Sequence, residues 1–291
     1  MRDSWPKVGV PGCHECRIIV SCAVLCGKNK KATRLLPDAV WKGPYDLKKT
    51  GDVDKIQRMV TRVDQFTKWG IPTPAMDLFG EADHDRHVWL RFPQLASVPA
   101  AKWSTVTKIV KPKKSRAKDP EKRAKADAEK KTHTFVVVVR ASMGTEILSR
   151  ARKADWARAE IVIPAILALA GRCLVEPPCG DSHLGNLLLV RADGTHHSKT
   201  DQVVSVDLEE NRSSMPENEE QVTWHQWLFS KGKQPSAEIL RAMEEGMRKH
   251  DKALYASIQK LRAAMGQATL DLPRTKHVLA ALEGVIACDA V

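Results

Sequence analysis

The chain has 291 residues, enough for one large domain or two lobes with cores of their own, and its 43% hydrophobic and 28% charged residues are ordinary for a soluble globular protein. Its net charge of +12 calls for an acidic partner, whether nucleic acid, an anionic membrane surface or a phosphorylated substrate, without choosing among them, and makes a cationic substrate a poor match. Seven cysteines, an odd number, exclude a simple disulfide scaffold, and the longest apolar run, Ile18 to Cys26, is far short of the roughly 20 residues a transmembrane helix needs. With no signal pattern in the polar stretch Met1 to Arg17, an intracellular, soluble protein with free thiols is expected, cytoplasmic or nuclear.

In chain order, residues 15–26 and 34–41 read as strands joined by the polar turn Gly27-Lys28-Asn29-Lys30-Lys31, an antiparallel hairpin. The spacing predicts a helix over 52–69. Asp52 caps it, Ile56, Met59, Val60, Val63 and Phe66 form one apolar stripe, and Gly70 ends it. Strands are predicted at Ala75 to Phe79 and His87 to Phe92, across an acidic loop. Lys108 to Lys131 then holds 11 Lys/Arg against 4 Asp/Glu, more than half of the chain's net charge, in a stretch polar on every side that reads as a solvated helix or as disordered. The β-branched run Phe135 to Val139 is expected to pair with Thr105 to Val110, making the basic stretch the loop of a long hairpin. Beyond residue 144 the pattern is mainly helical. Ala157 to Leu174 reads as a core helix stopped by Pro177-Pro178, and helices are expected over 218–231 and 236–265. Leu187 to Val190 and Val203 to Val206 read as two short buried strands.

The stretch richest in chemistry is Cys179-Gly180-Asp181-Ser182-His183-Leu184-Gly185-Asn186, succeeded some 20 residues on by Val206-Asp207-Leu208-Glu209. Phosphoryl transfer needs a carboxylate to orient the attacking hydroxyl and take its proton, and oxygen ligands for the Mg²⁺ that bridges the nucleotide phosphates. An Asp and an Asn five residues apart on one rigid loop supply the base and one ligand, and an Asp closing a neighbouring strand supplies the other. Asp181, Asn186 and Asp207 fit those three positions, with the spacing of the kinase signature.

Gly180-Asp181-Ser182-His183-Leu184-Gly185-Asn186 resembles the H-G-D-x-H-x-x-N loop of aminoglycoside and choline phosphotransferases, and is similar to the G-D-R-H-x-x-N loop of phosphoinositide-kinase-like enzymes. Val206 to Glu209 resembles the I-D-[FW]-E metal strand of the aminoglycoside group, and Gly70 to Phe92 resembles that group's segment running from G-[IV]-P-x-P-x-x-L to G-E-D. The likeness spans roughly residues 39 to 212. Cys179 stands where the aminoglycoside group has His, and Gly9-Val10-Pro11-Gly12 does not match G-x-G-x-x-G. The resemblance implies an α+β, two-lobed protein-kinase-like fold with ATP in the cleft: a small antiparallel-sheet lobe over residues 1–95, a basic insert over 96–133 and a mainly helical catalytic lobe over 134–291. It implies an ATP-dependent phosphotransferase with Asp181 as base, Asn186 and Asp207 holding Mg²⁺, and Lys42 contacting the phosphates. An acid on the helix after Lys42 would position that lysine: Asp64, with Asp54 as the nearer alternative. His183 is expected to pack and hydrogen-bond within its loop, and Glu209 reads as an acidic strand end or a further ligand.

The acceptor that the resemblance implies is a hydroxyl of a protein or small molecule. The alternatives are a pseudokinase, which keeps the loops without turnover, and a basic nucleic-acid-binding or virion-associated protein acting through its insert. Aromatics are scarce in that insert, which argues against base stacking. Cys13, His14, Cys16, Cys22 and Cys26 invite a zinc reading, but on a strand Cys22 and Cys26 stand too far apart for one ion, and buried free thiols are the expectation.

Overall fold

The computed structural model describes residues 7–8, 32–35, 39–81, 84–93, 103–109, 132–138, 145–190, 201–209 and 222–287. The hairpin expected over 15–26, the Gly9 to Gly12 turn, the cysteines from Cys13 to Cys26, most of the basic stretch and the start of the helix expected at 218 lie outside the described residues. The chain divides into two compact units, one of residues 1–47 and 77–141, the other of residues 48–76 and 142–291.

The first unit is built on a five-stranded sheet of β1 (Lys7–Val8), β2 (Ala32–Leu35), β3 (Ala39–Asp46), β4 (Asp77–Glu81) and β5 (His84–Pro93), in the order β1-β4-β5-β3-β2. Only β1 against β4 is parallel. Aromatic and β-branched residues make these strands, and Trp41, Tyr45, Val88, Trp89 and Leu90 are buried. Lys42 pairs with Leu90, after which the register shifts before Tyr45. Gly43 sits in that bulge at φ +154°, where an added Cβ would meet the Trp89 ring and the Val88 carbonyl at 3.0 Å. A side chain there is excluded both by backbone conformation and by space. Two further strands, β6 (Trp103–Ile109) and β7 (Thr132–Val138), pair antiparallel with Ile109 opposite Thr132, the long hairpin that the sequence predicts.

The second unit has helix α1 (Thr50–Lys68) and a three-stranded sheet of β8 (Thr145–Ile147), β9 (Leu187–Val190) and β10 (Gln202–Ser205), ordered β10-β9-β8. Its other helices are α2 (Lys153–Trp156), α3 (Ala159–Leu174), α4 (Trp224–Leu228), α5 (Ala237–Lys249), α6 (Asp251–Ala264), α7 (Gln267–Leu270) and α8 (Pro273–Ala287). Helix α3 is apolar on nearly every side, and it is accordingly buried, packing on β9 and β10 and on α4, α5, α6 and α8. Phe66 and Ile71 enter the same core as Ile166, Leu169 and Leu174. That burial places α1 in this unit, although in sequence it lies among the strands of the first. The helix expected over 236–265 is two, interrupted at His250, and both β8 and α8 are additional to the predicted elements. Helix α5 crosses α2 at backbone contact: a Cβ on Gly246 would stand 2.1 Å from the Trp156 carbonyl oxygen. The architecture is therefore α+β with small, mainly antiparallel sheets. Among the described residues no helix is long and apolar enough to cross a membrane.

Candidate active site

The site is organised around the β9–β10 hairpin. Ser205 is the last residue of β10 and pairs with Leu187, the first of β9, and the Val206 N–H then donates to the Asn186 carbonyl at 2.9 Å. Asn186 and Asp207 therefore flank the same end of one short hairpin. Asn186 is 8% exposed, and its Nδ2 donates to the Asp181 carbonyl at 2.8 Å, which leaves Oδ1 as its remaining polar atom. Three of the residues singled out in the sequence are thus brought together: Asp181 is tied to Asn186, and Asn186 is laddered to the residue before Asp207.

The loop around Asp181 is held from within and from outside. His183 Nδ1 accepts the Gly185 N–H at 2.9 Å, and its Nε2 lies 3.2 Å from Asp181 Oδ2. With Nδ1 an acceptor, the proton of neutral imidazole is on Nε2, and the ring donates to the carboxylate. The ring lies so close over Gly185 that a Cβ there would come within 2.6 Å of it. Ser182, 2% exposed, donates from Oγ to the Leu228 carbonyl at 2.6 Å and from its N–H to Ser230 Oγ at 2.7 Å. Ser230 returns two bonds, from its N–H to the Ser182 carbonyl and from Oγ to the Gly180 carbonyl, both 2.9 Å. Asp181 is thus flanked on both sides by anchored backbone while its own carboxylate keeps partial exposure, 26%. The His183 role expected from the sequence, packing and hydrogen bonding within the loop, matches these contacts.

Asp207 lies beyond β10 in irregular backbone, with an exposed side chain. At φ 54° it is the one non-glycine residue with positive φ among the described residues, and Asp is among the few side chains that tolerate this region. Strain of about 1–3 kcal/mol at such a position persists when surrounding contacts over-determine it, and it concentrates at functional sites. Glu209 is ion-paired with Lys55 of α1 at 3.5 Å. A magnesium ion takes oxygen ligands and is commonly held by one or two carboxylates plus substrate phosphates. The Asp207 carboxylate and the Asn186 Oδ1 are donors of that kind. Among the described residues no group of three or more His, Cys, Asp and Glu converges as a metal site, so a cation here would draw the rest of its shell from phosphate and water.

Lys42 lies in the first unit, half-buried on β3 at the start of the bulge, and the strand runs on past it to Asp46. Of the three acids on α1, Asp64 is exposed, Asp54 is half-buried and Asp52, in the first turn, is buried at 8%. Cys179, at the position where the resembled loop has His, is buried; burial pushes its thiol up, and its N–H donates to the Arg172 carbonyl at 2.8 Å.

Two residues central to the site were not singled out in the sequence: Arg172 of α3 and Arg62 of α1, both fully buried. Arg172 Nη2 donates to the Asp181 and Asp207 carbonyls at 2.8 and 3.0 Å, and Nη1 to the Val206 carbonyl at 2.7 Å. Arg62 donates to the carbonyls of Pro177, Pro178 and Leu208. Burial draws the Arg62 guanidinium below its ordinary value. A signal for both was present. Arg172 is the one basic residue in a helix whose other charged residue, Glu160, lies in its first turn, and Arg62 falls three residues after Met59 and four before Phe66, on the buried stripe. A cation in either place must find polar partners, which these carbonyls supply.

No family model matches this chain, and no curated protein matches it.

Proposed function

We propose that the chain is an ATP-dependent phosphotransferase of the two-lobed kinase-like kind, resembling aminoglycoside and choline phosphotransferases in its two loops, which moves the γ-phosphate to a hydroxyl of a protein or small molecule. The observation that carries this reading is the convergence of Asp181, Asn186 and Asp207 at one end of the β9–β10 hairpin, two carboxylates and an amide that the chain's linear order keeps apart. Asp181 is the base. Its Oδ2 is held by His183, so the carboxylate has a fixed orientation and still keeps an oxygen to receive the acceptor's proton. The acceptor oxygen bonds to the γ-phosphorus as its proton passes to Asp181, and the bond to the bridging oxygen breaks, ADP leaving with the electron pair. Asn186 and Asp207 would hold Mg²⁺, which when bound offsets charge on the phosphate oxygens. Lys42 is assigned to the phosphates on its sequence position, and Asp64, with Asp54 as the nearer alternative, remains the acid assigned to it from the sequence.

The test is Asp207→Ala. The residue is exposed and its backbone carbonyl stays available to Arg172, but alanine tolerates φ 54° less well than Asp, so the variant should fold and melt a few degrees below the wild-type temperature. It should lose Mg²⁺-dependent ATP affinity by about tenfold or more, the scale of a lost charged ligand. Calorimetric titration with Mg-ATP that gives equal affinity for both proteins sinks the site. ATP binding by the wild type with no transfer to any acceptor would make the protein a nucleotide-binding module instead.

A further inference from the structure

The segment that carries Asp207 belongs to no strand, yet three consecutive carbonyls in it are engaged. Val206 and Asp207 accept from Arg172, and Leu208 accepts from Arg62. The same two guanidiniums hold the other loop. Arg172 Nη2, which bonds Asp207, also bonds the Asp181 carbonyl, and Arg62 bonds Pro177 and Pro178 just before Cys179. Each arginine thus spans both loops, one reaching in from α1 and the other from α3, and each is fully buried. Ser205 adds a fourth acceptor to Arg172, through Oγ at 3.2 Å.

Resting on the function proposed above, we propose that Arg172 and Arg62 are positioning residues that register the base Asp181 against the metal ligand Asp207. The physical case is geometric. A guanidinium is a rigid planar fork with five donors in fixed directions, so the carbonyls it holds are fixed relative to one another. Fixing the carbonyls on either side of an α-carbon fixes where its side chain projects, and the Val206 and Asp207 carbonyls, which flank the Asp207 α-carbon, are both held by Arg172. That accounts for a non-glycine residue held at φ 54° in a segment with no ladder. Cys179, between the two anchored stretches of its loop, carries a thiol, a weak donor, so beyond the backbone bond from Val206 to Asn186 it is the two arginines that connect the loops. Neither arginine touches the reacting atoms in this arrangement; both act through the backbone.

The experiment compares full-length wild type, Arg172→Lys and Ser205→Ala by two readouts. The first is hydrogen exchange of ligand-free protein, measured in peptides covering 179–187 and 203–209, with α6 and α8 as internal references. Lysine keeps the charge but cannot bond several carbonyls in one plane. Arg172→Lys should speed exchange in both loop peptides together, by roughly tenfold, and leave α6 and α8 unchanged. The second readout is ATP binding as a function of Mg²⁺. The variant should need about tenfold more Mg²⁺ for half-maximal binding while its metal-free ATP affinity stays at the wild-type value. Faster exchange in only one loop, in neither, or equally throughout α3 to α8 overturns the proposal, since a merely structural arginine loosens the core around it. Ser205→Ala removes a single acceptor and keeps the fold testable if Arg172→Lys does not fold. It should raise exchange in both loops about twofold to fivefold, and no rise overturns the proposal. Wild type that binds no Mg-ATP sinks the kinase reading, and the clamp then stands or falls on the exchange data alone.

Discussion

Asp181 is bonded through one carboxylate oxygen to His183, and His183 is held in turn by Gly185, so two substitutions separate chemistry from orientation. Asp181→Asn keeps an acceptor for the His183 N–H but cannot take a proton. Nucleotide affinity should persist while single-turnover transfer falls by about 10²-fold or more. Gly185→Ala leaves the base intact and drives a methyl into the imidazole, which must swing away from Asp181. It should lower transfer by on the order of tenfold to a hundredfold with a nearly unchanged melting temperature. Wild-type transfer by Gly185→Ala would show that His183 does not orient the base. A third test uses Cys173, whose buried thiol is pushed up to about 12 from 9.0 and donates to the Trp227 carbonyl. Above pH 9 the unfolded chain has lost this proton and the folded protein keeps it, so stability present below pH 9 is lost as pH rises toward 12. The slope is at most about 1.4 kcal/mol per pH unit. Denaturant unfolding at pH 8.5, 9.5 and 10.5 should show a shallower decline for Cys173→Ala than for wild type; parallel declines would refute the assignment. At this scale the meeting of Asp181, Asn186 and Asp207 was legible in the sequence, because an Asp and an Asn five residues apart on one loop and an Asp closing a short apolar strand can be read from spacing alone. Arg62 and Arg172 showed themselves only as cations on apolar helix faces; what they hold could not be read, because their partners are backbone carbonyls, which leave no mark in the residue pattern.

Among elements, the β6–β7 pair yields a direct test. Ile109 stands opposite Thr132, so deleting residues 112–131 leaves Val110 and Lys111 as a two-residue hairpin loop in the same register. With Asn-Gly in those two places the turn has the preferred residues, and the deleted stretch has almost no apolar side chains to bury. The melting temperature should move by no more than a few degrees, while affinity for polyanions measured at low salt should drop. A fall of many degrees would mean that the deleted residues are packed. Helix α1 was readable from its apolar stripe, and β7 and the β9–β10 pair from short runs of β-branched and aliphatic residues bounded by polar stretches. Other elements were not. β8 is three residues long and exists through its pairing with β9, too short for alternation to register. The break at His250 interrupts a sequence that is helical on both sides; its imidazole meets the Ala157 carbonyl at 2.9 Å, a tertiary contact that overrides propensity. Helix α8 did carry a signal, Pro273 at its first turn and Thr275, Val278, Leu279, Leu282 and Val285 on one buried face.

For the molecule as a whole, the α+β class could be read from strand patterns giving way to helical ones, but the composition of the second unit could not, because α1 joins it by side chains that pack far along the chain. Residues 142–291 by themselves lack Phe66, Ile71 and the three carbonyl bonds of Arg62. That fragment should show no cooperative thermal transition alone, and a peptide of residues 48–76 added in trans should restore one. Cooperative melting of the fragment at the full-length temperature would show α1 to be dispensable. The same discontinuity has a meaning in time. Arg62 and its partner Leu208 are 146 residues apart. At translation rates of about 5–20 residues per second, α1 leaves the ribosome on the order of ten seconds before the carbonyl it will bind has been made. A single helix of 19 residues has little stability in water by itself. For that interval Phe66 and an arginine without its carbonyl acceptors wait on the nascent chain, where a chaperone and any sticky neighbour compete with a native partner not yet synthesised.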